Sequence, residues 1–550
     1  MKFLICHYEE RKRRSNLINK IFIKAEEMLI KRFLKRRNIL IVFCVISGIL
    51  LAVSFPKYGF LAWIALIPLL FSLYYCTKKE AFFLGFITGF LFFGGQMYWN
   101  WYVTPIAWIG LTILCSIYFS ILSFFLHLLL RETKSWIRIL LISTFWVIFE
   151  FLWSLTPLAF GWGILGNSQH FFLPLLQIVR ITGVYGVSFL IVFFNMTVLE
   201  ALQLFQISSF KNLGSLIKHL IRFFRKKRWL LYNSKYLFSS IILIILILIY
   251  GFFTFLNNNP KNIFFENLNK IEISLIQPNI PQSIKISGQH IDSILEILEN
   301  LSIEAAKNNP DLIVFPESAT SLVFIEDETD LYFNWTKKLL GEIKTNLLKG
   351  VFTRNEEGNL HNSVILLDKK GKLIDVYEKI HPIPFGEFVP ARRFIGNIGP
   401  LRLLREDVVA GKKYTVFPIS QGKIGSIICF ESALPQIPRK LRNNGAQILF
   451  VVTNDGWFKN SIELEQHFYM GRVRAVENGV YFVQCANTGI SGVFAPNGKE
   501  LDATRKNEAC TLTTSVYFMP EQTFYSKYGD IFSYICLLIF FIWIILKLPI

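Results

Sequence analysis

The sequence predicts a polytopic α-helical membrane domain of about eight spans joined to an α/β domain that faces the outside of the membrane. Three observations carry that prediction. The 550 residues are 53% hydrophobic, include 54 phenylalanines and have a mean hydropathy of +0.42, too apolar for a soluble protein, so part of the chain sits in lipid. Uninterrupted apolar stretches recur at the length needed to cross a hydrocarbon core of about 30 Å. Between residues 258 and 530 the pattern changes to short β-branched runs alternating with polar helical stretches.

The candidate spans fall at 39–55, 58–76, 81–103, 106–130, 137–155, 183–205, 238–257 and 531–548. The chain therefore divides into a basic cytoplasmic tail at 1–38, a membrane domain of seven spans at 39–257, an α/β domain at 258–530 and a C-terminal span at 531–550. Orientation follows from the cations, because short positively charged loops stay in the cytoplasm. Arg11, Lys12, Arg13, Arg14, Lys31, Arg32, Lys35, Arg36 and Arg37 precede the first span; Lys78 and Lys79, then Arg131, Lys134 and Arg138, then Lys211 to Arg228 follow the second, fourth and sixth. The alternate loops carry few cations, Lys57 being the main exception, which places both termini inside and residues 258–530 outside. No small-residue cleavage site follows the first span, which is expected to be an uncleaved anchor. The net charge of +19 is thus largely topological and is not a nucleic-acid signature.

Within 258–530 the expected strands are ISLIQPN (273–279), DLIVF (311–315), GVFTR (350–354), NSVILL (362–367), IGSIIC (424–429), ILFVVTN (448–454), VYFVQCAN (480–487) and SGVFAP (491–496). Helical spacing is expected over 293–309, 331–348, 434–444 and 463–477, and Asn497-Gly498 is a hairpin signal. Such alternation buries a sheet between helices and gathers reactive groups at strand ends.

Three strand ends carry chemistry. Cys429 ends the IGSIIC run, Glu317 follows DLIVF, and Lys379 follows the run that ends in Tyr377-Glu378. A thiol beside a carboxylate and an ammonium is a nucleophile with its own base and cation. Taken singly, each has a plainer reading: a core cysteine, a first-turn carboxylate, a surface lysine. Three of the eight cysteines, Cys429, Cys485 and Cys510, fall in the outer domain, so at least one thiol there is free, and their spacing suggests no metal site. A Cys485–Cys510 disulfide stays open, while Cys485 within its strand reads as core. His381, Asn362, Asn454, Asp455, His467 and Asn487 read as turn or packing residues rather than reactants. Glu150 lies inside a span, where an ionisable side chain is costly and either functional or a bundle hydrogen bond.

FPES, EKIHPIPFGEFVP, IICFE, TNDGWF and RAVENGVYFVQCANTGISG, in that order and at these separations, resemble the carbon-nitrogen hydrolase (nitrilase) superfamily. Within it, the eight-span scaffold, PFGEFVP, FPKYGFLAWIALIPLL (55–70) and GNSQHFFLPLLQIVRITGVYGVSFLIVFFN (166–195) resemble the apolipoprotein N-acyltransferases, from about residue 40 to the end of the chain. The resemblance implies an α-β-β-α sandwich for the outer domain, with Glu317 as general base, Lys379 as cationic stabiliser and Cys429 as nucleophile. It implies that Lys379 and the backbone N–H of Phe430 meet the oxyanion, and that Glu387 and Glu431 keep Lys379 charged and orient the site. It further implies a glycerophospholipid donor, a thioester on Cys429, and as acceptor the α-amine of a lipoprotein's N-terminal diacylglyceryl-cysteine. No cofactor or metal, a monomeric state, and a bacterial inner membrane with the catalytic domain on its periplasmic side belong to the same expectation.

The chain departs from that family's pattern at Ile286, where tryptophan is usual, at Phe430, where tyrosine is usual, at Trp153, close to a usual arginine, and at FGWG (160–163), where GFPW is usual. Between the lysine and cysteine motifs, PFGEFVPARRFIGNIGPLRLLRED mixes Phe388, Phe394 and Leu404 with Arg392 and other arginines; its apolar groups either pack on the domain or, as is expected, form a substrate-access arm lying on the bilayer. Two other classes fit the sequence less well: a membrane-anchored amidase needs one span rather than eight, and a non-catalytic lipid-binding protein has no need of Glu317, Lys379 and Cys429.

Overall fold

The computed structural model describes residues 36–547 apart from 56, 133, 203–233, 261–267, 288–289, 321, 328, 391 and 397–405. Most of the basic tail, the basic loop 211–228 and Leu404 lie outside those residues, as do the side chains of Ile286 and Phe394.

Each of the eight expected spans falls on helix. Arg36–Val53, Pro105–Leu129, Ser135–Ser154, Val184–Ala201 and Lys235–Asn257 are long and apolar enough to cross a membrane, whereas Gly59–Tyr75 and Ile531–Lys547 are shorter apolar helices. The expected span at 81–103 is divided. Its helix, Lys78–Gln96, begins at a capping box between Thr77 and Glu80 and gives way to a short helix, Asn100–Val103. The chain turns there because its polar groups engage other segments: Gln96 Nε2 donates to Trp162 O at 2.6 Å, and Trp99 Nε1 to Gln466 Oε1 at 3.0 Å. Small residues let Lys78–Gln96 and Pro105–Leu129 approach closely. A Cβ at Gly85 would lie 2.5 Å from Ser123 Cβ, and one at Gly89 would lie 3.0 Å from Ser116 Cα. Asn195 supplies polar glue, accepting from Leu66 N at 3.1 Å and donating to Ala62 O at 3.1 Å. Glu150 takes the packing role, its Oε1 accepting from Trp146 Nε1 at 2.8 Å and from Leu165 N at 2.9 Å.

The α/β domain is two six-stranded sheets between helices. The strands are β1 Lys270–Gln277, β2 Leu312–Val314, β3 Asn346–Arg354, β4 Leu360–Leu367, β5 Leu373–Glu378, β6 Val416–Ile419, β7 Gly422–Ile428, β8 Ile448–Thr453, β9 Tyr481–Ala486, β10 Gly492–Phe494, β11 Glu500–Ala503 and β12 Cys510–Tyr517. The first sheet runs β12-β1-β2-β3-β4-β5 and the second β11-β10-β9-β8-β7-β6. Alternation along the strands gives each sheet two buried faces. Ile276, Ile313, Leu347 and Ile365 pack outward under the helices Ile291–Ala306 and Leu331–Ile343, while Ile273, Leu275, Leu348 and Val364 join the core shared with Ile424, Val451 and Phe482. The helices Gln436–Asn443 and Glu463–Asn478 pack on the second sheet. Cys485 is core as expected, its Sγ against the carbonyls of Ile276 and Val314, and neither it nor Cys510 is in a disulfide. The Asn497-Gly498 turn joins β10 to β11, with Gly498 at φ +83° as that turn needs.

Two sequence expectations move. The helix expected over 331–348 stops at Ile343, because Lys344 takes a left-handed conformation (φ +54°) and Asn346 to Leu348 pair in parallel with β2. Strands β6, β11 and β12 were not expected; β12 completes the sheet edge by pairing along all eight residues of β1.

The two domains share one core. Buried membrane-domain residues such as Leu66, Phe151, Trp162 and Tyr185 are continuous with Ile427, Phe430 and Val476. Across the seam, Val184 N donates to Glu477 Oε1 at 2.8 Å and Gln177 Nε2 to Asn497 O at 2.9 Å. Gly161 lies so close to the α/β domain that a Cβ there would be 2.2 Å from Ala433 O. Gly161→Val is therefore expected to lower stability by about 1–3 kcal/mol through overpacking, read as a fall in the thermal midpoint of the detergent-solubilised protein. An unchanged midpoint would mean that the two domains are not in contact at Gly161.

Candidate active site

Glu317, Lys379 and Cys429, 112 residues apart in sequence from first to last, meet at the ends of β2, β5 and β7. Each element delivers its side chain for a local reason. Glu317 follows β2 and Pro316 and runs close against β3: a Cβ at Gly350 would sit 2.6 Å from Glu317 Cα, so only glycine admits the carboxylate's backbone there. Lys379 leaves β5 with its N–H donating to Asn362 O at 2.8 Å. Cys429 opens a short 3-10 turn after β7 at φ +50°, and Ser318, next to Glu317, has φ +44°. Non-glycine residues in that region mark strained turns that hold side chains at functional sites.

Lys379 is fully buried and clamped by two carboxylates. Its Nζ is 2.8 Å from Glu387 Oε2, 3.0 Å from Glu387 Oε1 and 3.6 Å from Glu317 Oε1. Burial works against its charge, but Glu387 and Glu317 more than offset it and hold the ammonium well above the ordinary lysine range. Glu317 also accepts from Asn362 Nδ2 at 2.8 Å and from Asn454 N at 3.0 Å; the same Asn362 amide reaches Glu387 at 2.8 Å. Glu387 Oε2 takes the Ile383 N–H at 2.7 Å, which fixes the PFGEF turn.

Cys429 is half-buried. Burial first, then Glu317, push its thiol well above the ordinary range, with Lys379 pulling the other way and Asp455 adding to the rise. The resting group is thus a thiol with a carboxylate base and an ammonium beside it. Glu431, two residues on, is a clamp rather than a reactant. Its Oε1 accepts from Ile380 N (2.7 Å) and His381 N (3.1 Å), and its Oε2 from Ile428 N (2.8 Å) and Tyr377 OH (2.9 Å), locking the lysine loop to the cysteine loop. Burial raises its carboxyl to about 7. The ring of Phe430 points to the membrane domain, with centroids 5.3 Å from Trp162 and 5.4 Å from Phe160. Two departures noted in the sequence, Phe430 and FGWG, therefore touch each other, and Trp153 stacks on Tyr118 instead of presenting a cation.

Of the access-arm residues, Phe388 lies beside Glu387, its carbonyl accepting from Phe385 N at 2.7 Å. Arg392 is paired with Asp407, Nε to Oδ2 at 2.7 Å, so in this structure its fork is engaged by protein. Phe394's side chain and Leu404 lie outside the described residues.

The sequence reading missed several groups. Asn362 bridges both carboxylates of the lysine clamp, and Asn454 supplies Glu317 with a backbone donor. Lys285, buried, reaches the Glu317 carbonyl at 3.4 Å, and burial pulls its pKa down to about 8. His467, also taken for packing, is 3.0 Å from the Cys429 carbonyl. The one signal for them was proximity to the motifs. Among the described residues, a single group of metal-binding side chains comes together, Asp455, Glu463 and His467. Both ring nitrogens of His467 already face protein acceptors, Asp455 Oδ1 and Cys429 O at 3.0 Å each, which accounts for the cluster without an ion.

Comparison with known proteins matches this architecture at both ends. The Carbon-nitrogen hydrolase family matches residues 273–518 and the Apolipoprotein N-acyltransferase N-terminal domain family matches residues 47–197. The Apolipoprotein N-acyltransferase of Geobacter metallireducens is 33% identical over 508 residues, covering 90% of this chain and 92% of its own. Those of Chlorobaculum tepidum and Thermotoga maritima are 27% and 28% identical, again over 90% of this chain and over 93% and 91% of theirs. With a relative more than 30% identical that is covered nearly end to end, and both halves matched, the chain belongs to the apolipoprotein N-acyltransferase family.

Proposed function

We propose that the protein moves an acyl chain from a glycerophospholipid to the α-amine of a lipoprotein's N-terminal diacylglyceryl-cysteine, through a thioester on Cys429. The observation that carries this reading is the meeting of Cys429, Lys379 and Glu317 against a wall supplied by the membrane domain, where Trp162 and Phe160 lie on Phe430. A soluble amidase needs no such wall. An apolar cavity of about 600 Å³ also opens between the helices Arg36–Val53 and Lys78–Gln96, lined by Ala52, Phe55, Phe90 and Gly94 and reaching Gln466 beside His467. In the proposed setting the catalytic domain, 258–530, stands on the periplasmic face of a bacterial inner membrane and works as a monomer.

The steps follow from the groups present. Glu317 takes the thiol proton as Sγ attacks the donor's ester carbonyl. The oxyanion is met by Lys379 Nζ and the Phe430 N–H. Collapse breaks the ester C–O bond, and Glu317 returns the proton to the departing lysophospholipid hydroxyl. In the second half the amine attacks the thioester, Glu317 takes a proton from the nitrogen, and the C–S bond breaks to regenerate the thiol. Excluding water keeps the thioester from hydrolysis. Glu387 and Asn362 hold Lys379 and Glu317 in register throughout, and Glu431 holds the two loops together.

The protein incubated with phospholipid is expected to gain the mass of one acyl group on Cys429, and Cys429→Ser to gain none while keeping its fold, because a hydroxyl is not ionised by Glu317 near neutral pH. Acylation of lipoprotein at the normal rate by that variant would sink the assignment, and turnover of a soluble amide with no acyl adduct in the unaltered protein would favour an amidase. Lys379→Met is expected to slow thioester formation by at least roughly a hundredfold, the loss typical of one oxyanion donor; single-turnover kinetics with an unchanged rate would remove Lys379 from the mechanism. We also assign the access arm to residues Phe388 to Leu404. Replacing Phe394 and Leu404 by Ser is expected to impair turnover of phospholipid while leaving alkylation of Cys429 by a small soluble reagent nearly intact. Equal loss of both would indicate damaged packing, and loss of neither would dispose of the arm.

A further inference from the structure

One buried hydrogen-bond chain behind the nucleophile has no part in the steps above. His467, Asp455 and Ser432 are fully buried. Nδ1 of His467 lies 3.0 Å from Asp455 Oδ1, which also accepts the Thr453 hydroxyl at 2.7 Å. Nε2 lies 3.0 Å from Cys429 O and 2.9 Å from Ser432 Oγ. The indole of Trp162, from the membrane domain, is 5.8 Å from the imidazole and closes its other side.

A carbonyl can only accept, so Nε2 carries a hydrogen; a carboxylate can only accept, so Nδ1 carries one too. Burial opposes a cationic ring, but Asp455 and the Cys429 carbonyl outweigh it and hold the ring's pKa above the ordinary histidine value. Glu463 lies 3.9 Å from Nδ1, and burial and Asp455 raise its carboxyl well above the ordinary range, which favours its neutral form.

The consequence lies in the peptide that joins Cys429 to Phe430. A trans peptide is planar, and its C=O and N–H point in opposite directions. Fixing the Cys429 carbonyl on His467 therefore aims the Phe430 N–H away from His467, and drawing electron density toward a cationic donor makes that N–H a stronger donor itself. Without a partner for the carbonyl, a residue at φ +50° would relax and carry the N–H with it. We propose that His467, oriented by Asp455, is a positioning residue that sets the Cys429–Phe430 peptide plane and so aims and polarises the Phe430 N–H at the oxyanion. This rests on the thioester chemistry proposed above and on the Phe430 N–H as an oxyanion donor.

The test compares two reactions of the full-length protein in detergent micelles. Thioester formation from mixed phosphatidylethanolamine and phosphatidylglycerol passes through an oxyanion; alkylation of Cys429 by iodoacetamide does not. For His467→Leu, the acylation rate constant is expected to fall roughly 10²- to 10³-fold, with the KM for phospholipid and the alkylation rate each within about threefold of the unaltered protein. His467→Gln, whose amide can still donate to the Cys429 carbonyl, is expected to recover at least about tenfold over the Leu variant. Asp455→Asn is expected to slow acylation while leaving alkylation unchanged or faster, because Asp455 helps to hold the thiol protonated. Should the Leu variant fail to fold, the Gln and Asn variants carry the test. Acylation and alkylation falling together, unchanged acylation in His467→Leu, or a Gln variant no better than Leu would overturn the inference. An unaltered protein that is alkylated at Cys429 yet takes no acyl group would overturn the thioester reading itself, a result distinct from any loss confined to the variants.

Discussion

A lysine that keeps its charge with no access to water has to find counter-charges inside the protein, and Lys379 finds two. Lys379 lies between Glu387 and Glu317, and almost every feature of the site can be traced to keeping that triad in place. Removing one partner of a buried ion pair leaves an uncompensated charge, worth about 3–5 kcal/mol in other proteins. The surroundings are accordingly over-determined: Asn362 holds both carboxylates, Asn454 and Ile383 donate backbone N–H groups, and Glu431 ties the lysine loop to the cysteine loop. Two carboxylates around one ammonium leave a surplus of negative charge at the site.

The second constraint is the seam with the membrane domain. It is built by close approach at Gly161, by buried polar contacts such as Val184 N to Glu477, and by aromatic stacking of Trp162 on Phe430. Trp162 also packs on His467, so one membrane-domain side chain touches both the residue after the nucleophile and the residue behind it. The turn that carries Cys429 thus has the second sheet on one side and the membrane domain on the other.

Much of this was legible in the sequence because Glu317, Lys379 and Cys429 end apolar strands, and strand ends are visible as abrupt switches from β-branched to polar residues. The helical spans were legible for the same reason at a longer period. What was not legible depended on contacts distant in sequence. Asn362 sits in the middle of a strand, and nothing in NSVILL says that its amide will meet Glu317 and Glu387, 45 and 25 residues away. His467 lies on a helix whose apolar pattern accounts for its neighbours, and its partner is a backbone carbonyl that has no sequence signature at all. Asn346 to Leu348 continue a helical pattern, yet parallel pairing with β2 outweighed it. The Thr-rich β12 reads as loop until β1 offers it a full-length partner. The division of the span expected at 81–103 likewise came from Gln96 and Trp99 finding partners far along the chain.

The protonation of the Cys429 thiol has a chemical consequence of its own. Peroxides and disulfides react with thiolates, and the free low-pKa cysteine is the one that is lost to sulfenic acid or mixed disulfides. Burial, Glu317 and Asp455 all keep the Cys429 proton in place, against the pull of Lys379. A thiol held protonated in this way offers oxidants less thiolate than a cysteine of ordinary pKa does.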